Sequence, residues 1–89
     1  MIVVQLPIGY KITGLIIYSS SSSLDYYLEY GQILNNTTVT AIAGPGTTNS
    51  NLTLSSAEVV DERRYYILRV EYTATTDEIR GAKIFLDKV

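Results

Sequence analysis

Hydrophobic residues recur at every second position over much of this chain, the period of a strand that buries one face. The pattern is clearest from Arg64 to Thr75, where Tyr66, Leu68, Val70, Tyr72 and Ala74 fall on one face and Tyr65, Ile67, Arg69, Glu71 and Thr73 on the other. It returns from Leu24 to Leu34, where Leu24, Tyr26, Leu28 and Tyr30 alternate with Asp25, Tyr27 and Glu29, and where Gly31 is placed to bend or bulge the strand. Ile79–Lys88 repeats it, with Ala82, Ile84 and Leu86 against Lys83 and Asp87. Shorter runs of Ile, Val, Tyr and Thr read as strands over Ile2–Leu6, Tyr10–Ser20, Thr37–Ala43 and Leu52–Val60. Turn residues separate these runs at Pro7-Ile8-Gly9, Asp61-Glu62 and Thr76-Asp77-Glu78, and the serines Ser19–Ser23 read either as a flexible loop or as a strand end with a polar tip. Asn35-Asn36 is the expected tight hairpin turn, and Gly44–Asn51 the longest expected loop. No stretch holds a helical 3.6-residue period. The pattern predicts an all-β chain, residues 1–89, folded as one small antiparallel two-layer β-sandwich of jelly-roll or immunoglobulin-like type, with about seven or eight short strands.

Two segments break the alternation. Leu15-Ile16-Ile17-Tyr18 and Tyr65–Ile67 are apolar on both strand faces. The expected core takes Tyr66, Leu68, Val70 and Tyr72 against Ile84, Leu86 and Tyr10–Tyr18. A chain of 89 residues has a thin core, since a domain of this size buries only about 60–65% of its unfolded surface. Leu15, Ile17, Tyr65 and Ile67 are therefore the expected interface, through which the chain associates with itself as a homo-oligomer or polymer. The competing expectation is that the Gly44–Asn51 loop folds over that patch within one chain.

Charge narrows the partners. Seven basic and nine acidic residues give a net charge of −2, and Arg63-Arg64 is the only basic pair. A nucleic-acid surface needs a basic stripe that displaces counterions, so none is expected. No run of 18 apolar residues exists, so no membrane insertion is expected either. Met1–Pro7 has neither a charged start nor a long apolar stretch and does not read as a signal peptide.

The chain lacks both His and Cys. That removes the usual general base, the thiol nucleophile and the soft metal ligands, so no enzyme activity, cofactor or metal is expected. Asp25 and Glu29 share a strand face, but four residues along a strand span about 13 Å, too far for a glycosidase pair. Gly44-Pro45-Gly46 lacks the lysine of a phosphate loop. The acidic pairs Asp61-Glu62 and Asp77-Glu78 read as solvated turns. Asn35-Asn36-Thr37, Asn36-Thr37-Thr38 and Asn51-Leu52-Thr53 match the N-glycosylation acceptor pattern.

Eight tyrosines with one Phe and no Trp suit half-buried strands and interfaces. Tyr26, Tyr30, Tyr66 and Tyr72 fall on apolar faces and are expected in the core. Tyr27 and Tyr65 point the other way and are the candidate ligand-binding pair, since a tyrosine ring stacks on sugars. The ends of the chain, Leu6-Pro7-x-Gly9-x-x-Ile12 and Tyr65-Tyr66-x-Leu68-x-Val70 followed by Ile79-x-x-Ala82-x-Ile84, resemble small β-sandwich modules of phage or prophage fibre-like proteins and bacterial surface proteins. The resemblance implies a non-enzymatic structural or assembly unit of a virion, fibre or cell-surface array. It also implies a virion or extracellular location, with other virion or surface proteins as further partners. The alternative is a carbohydrate-binding β-sandwich module.

Overall fold

Seven strands form in the order the alternation predicts. They are β1 (Ile2–Val4), β2 (Tyr10–Ser19), β3 (Asp25–Gln32), β4 (Asn35–Thr47), β5 (Leu52–Val59), β6 (Arg64–Glu71) and β7 (Ile79–Lys88). The structure is a computed structural model that describes residues 2–20, 24–33, 35–74 and 76–89, and of residues 35–38 the backbone alone. The strands make two antiparallel sheets, one of four in the order β1-β6-β3-β4 and one of three in the order β5-β2-β7. The sheets face each other as a two-layer sandwich.

The inner neighbours β2–β5 and β3–β6 are those of an immunoglobulin domain. The chain ends are exchanged relative to that order. There the first strand lies beside the second and the last beside the sixth; here β1 lies beside β6 and β7 beside β2.

The core is built from the faces that alternation assigns. Tyr26, Leu28, Tyr66 and Leu68 of the four-stranded sheet meet Ile12, Leu15, Ile17 and Leu54 of the other, with Ile84 and Leu86 packed alongside. Tyr26 is fully buried, and its hydroxyl donates to the Ser50 carbonyl at 2.6 Å, with the Leu15 carbonyl at 3.2 Å. It lies over its cross-strand partner Gly46, where an added Cβ would come within 2.7 Å of the ring.

Several expectations need correction. Tyr72 is 56% exposed, not core, because β6 ends at Glu71 and β7 does not begin until Ile79. Asn35 already pairs with Gln32 and opens β4, so the hairpin turn falls before Asn35-Asn36; Leu34 lies outside the described residues. Gly44-Pro45-Gly46 is strand, carried by register shifts between Tyr26 and Glu29, and only Thr48–Asn51 turns. That turn knits the two sheets together at one end. Thr48 accepts from Ser19 Oγ at 2.8 Å and its N–H reaches the Leu24 carbonyl, while the Asn49 N–H donates to the Ile17 carbonyl. Gly31 does mark a register shift, as its sequence position suggests. Of the serine run, Ser19 is buried and residues 21–23 lie outside the described residues.

Candidate functional site

Where a strand is central in its sheet, one face goes to the core and the other to the outside of the sandwich. β6 and β3 are central in the four-stranded sheet, so Tyr65, Ile67, Arg69 and Glu71 share an outer face with Asp25, Tyr27, Glu29 and Gly31. Register sets the partners across this face: Glu71 opposite Asp25, Arg69 opposite Tyr27, Ile67 between Glu29 and Val3, and Tyr65 opposite Gly31.

The charged part of the face is tied to its aromatic part. Arg69 lies over the Tyr27 ring at 4.1 Å, reaches Glu29 from Nε at 3.1 Å, and reaches Glu71 from a terminal nitrogen at 2.9 Å. Cation–π stacking and two carboxylates hold the guanidinium flat on the sheet. At the other end Tyr65 lies over Gly31, where any Cβ would overlap its ring. Ile67, between these two features, is 2% exposed although it faces outward.

This arrangement divides the residues singled out from sequence. Tyr27, Tyr65 and Ile67 come together on one surface. Leu15 and Ile17 do not, and as interface residues they are a correction. They are 0% and 1% exposed because their side of β2 faces the four-stranded sheet; Ile16 and Tyr18 are the residues of that segment that face outward. Ile67 is likewise corrected, because its neighbours on three strands close over it. Tyr65 is half-buried. Tyr27 is half-buried too, with one ring face taken by Arg69.

The outer face of the three-stranded sheet is of a different kind. Gly14 and Phe85 pair there, next to Ile16 with Lys83 and Lys11 with Asp87, while Val59 flanks Lys11. Phe85 and Val59 are 40% and 53% exposed. The sequence assigns none of Phe85, Lys83 and Lys11 to a site. The alternation of Lys83 and Asp87 with Ile84 and Leu86 was their only signal, and it marks a face without saying what lies opposite.

A polar network closes one end of the sandwich. Arg64 on β6 reaches Glu58 on β5 at 2.5 Å and lies over Tyr30 at 4.0 Å. The Tyr66 hydroxyl, between them, donates to Glu58 at 3.1 Å and accepts from the Asp61 N–H at 3.0 Å. Asp61 holds the β5–β6 turn, receiving the Arg63 backbone N–H at 2.8 Å and its guanidinium at 3.0 Å. Those bonds hold the Asp61 carboxyl down at about 2. Asp77 does the same for the β6–β7 turn, accepting from the N–H groups of Thr73 and Ala74. The aspartate of each acidic pair thus supplies turn geometry. Among the described residues no three acidic side chains gather as metal ligands would.

Comparison with protein-family models, with curated proteins and with solved structures finds no match to this chain. The functional reading therefore rests on its own two faces. Asn51, in the third acceptor motif, is exposed at the turn before β5; the side chains of Asn35 and Asn36, in the other two, lie outside the described residues.

Proposed function

We propose that this chain is a non-enzymatic structural protein, a subunit or terminal module of a virion, fibre or cell-surface array, that works by associating with copies of itself. The observation that carries the reading is the apolar and aromatic surface left outside the core. Val3, Val59 and Phe85 are 59%, 53% and 40% exposed on the two outer faces, and Ile8, Ile33 and Tyr72 are more than half exposed at the ends. Val59 and Phe85 share one outer face, on the strands that flank β2, and apolar residues gathered on one face mark contact surfaces where singly scattered ones do not. The charged groups nearest the tyrosines, Arg69 and Arg64, are engaged by Glu29, Glu71 and Glu58 as parts of the scaffold. The resemblance of the chain ends to fibre-like and surface modules points the same way.

Sedimentation velocity or mass photometry up to tens of micromolar tests it. The expected result is a concentration-dependent species larger than one chain. A single species of 9.9 kDa throughout that range overturns the reading. In the carbohydrate-binding alternative, a glycan array would show binding that Tyr27→Ala removes.

A further inference from the structure

Charge is not spread evenly over the sandwich. The paired strands β2 and β7 carry Lys11, Arg80, Lys83 and Lys88 against Asp87 alone, a net +3 in a chain whose total is −2, which leaves −5 for everything else; Lys11, Lys83 and Asp87 stand on the outer face, while Lys88 shares the side of Ile84 and Leu86 and Arg80 lies by Ile17 and Leu68. All three arginines outside β7 are in ion pairs, whereas among the described residues Lys11, Arg80, Lys83 and Lys88 are in none. On the opposite side, the outer face of the four-stranded sheet sets Asp25 directly across from Glu71, with Arg69, among the described residues, as the only cation on that face for those two and Glu29. Like charges directly opposite on neighbouring strands repel, so this end of the face lacks a cation that the chain does not supply from its own side.

We infer that the two outer faces are the two halves of one contact: the Lys83–Phe85 face of one copy seats on the Asp25/Glu71–Tyr27 face of the next. The proposal rests on the self-association read above and names its surfaces. The spacing matches. Lys83 and Phe85 are two residues apart on one face of β7, about 7 Å. Glu71 and Arg69 are two apart on β6, and Asp25 and Tyr27 two apart on β3. With Lys83 over the two carboxylates, Phe85 lies over the Arg69–Tyr27 stack. The molecule measures 36 × 29 × 19 Å, so a face offers at most about 1,000 Å², enough for the roughly 800 Å² per partner of a specific protein contact.

The two halves are different surfaces, so the contact is heterologous and does not close on a pair. Each copy offers one face upward and one downward, and the product is an open stack. Packed sheets lie about 10 Å apart, so two layers per copy give an axial rise of about 20 Å.

Two charge reversals and their mixture test this. Lys83→Glu makes both faces acidic; Glu71→Lys leaves one face basic and brings the other to neutral, with two cations against Asp25 and Glu29. Each alone should raise the concentration needed for assembly by at least about tenfold, while an equimolar mixture, whose copies alternate, should assemble nearly as the parent chain does. Far-UV circular dichroism checks each fold, and Asp25→Lys replaces Glu71→Lys if the latter does not fold. Electron microscopy of the parent should show filaments with the 20 Å repeat. If the parent assembles but Lys83→Glu assembles equally well, or the mixture stays apart, this contact is wrong and self-association stands on another surface. If the parent never assembles, the proposed function and this contact fall together.

Discussion

Tyrosine over glycine occurs on both faces of the four-stranded sheet, and the two cases should respond differently to one methyl group. Tyr26 is fully buried and held by the Ser50 carbonyl, so it cannot swing away from Gly46. Gly46→Ala is expected to cost about 1–3 kcal/mol, the usual range for overpacking a core. Tyr65 is half-buried and can rotate outward from Gly31, so Gly31→Ala is expected to cost less. Urea unfolding of the two variants compares them directly. Titration gives a second check. Arg63 holds Asp61 at about 2, below its ordinary value, so the carboxylate adds stability above about pH 4 that is lost as pH falls towards 2. In Arg63→Ala, carbon-detected NMR should show Asp61 titrating higher, while the backbone N–H of residue 63 still holds it below the ordinary carboxylate value. Tyr26 and Tyr66 behave in the opposite sense. Burial raises both, so their contribution is complete below about pH 10 and fades above it. Alkaline unfolding should coincide with tyrosinate absorbance.

At the scale of elements, the strand faces were legible and the turns less so. Ile79–Lys88 matches its sequence boundaries, and Leu24–Leu34 contains β3, because strict alternation leaves one register in which the apolar set is buried. Gly44-Pro45-Gly46 misleads because local chemistry argues for a turn, while pairing with β3 draws the segment into a bulged edge strand. The join between sheets was not legible at all, since Glu58 and Arg64 are an ordinary acid and base in the sequence. Glu58→Ala leaves Arg64 without its acceptor across the sheets and the Tyr66 hydroxyl with only the Val59 carbonyl at 3.5 Å, and should cost about 1.5–3 kcal/mol by thermal or urea unfolding. Leu15→Ala and Ile17→Ala should each cost about 2–5 kcal/mol, the range for a core cavity. Ile17→Asp should yield an unfolded chain, not a better-behaved monomer, because the residue lies between the sheets.

For the molecule as a whole, pairing joins the far ends of the chain: Tyr10 pairs with Lys88 and Ile2 with Leu68. Closing such long loops before any contact rewards them slows folding, so stopped-flow refolding in the millisecond-to-second range is expected, and microsecond folding would contradict this topology. The sequence by itself determined the all-β class, the two-layer sandwich and the two sides of most strands, because a period of two is a local property of the backbone. It also placed Tyr65, Ile67 and Arg69 together on one side of β6. Only the tertiary structure decided which side of each strand is inside. Leu15 and Ile16 are equally apolar neighbours, and nothing local distinguishes the one that meets the other sheet from the one that looks outward. It alone decided that the chain ends change places, that Asp25 faces Glu71, and that the unpaired lysines gather on the opposite layer. Those facts depend on strand order and register, which are set by packing between residues far apart in the chain.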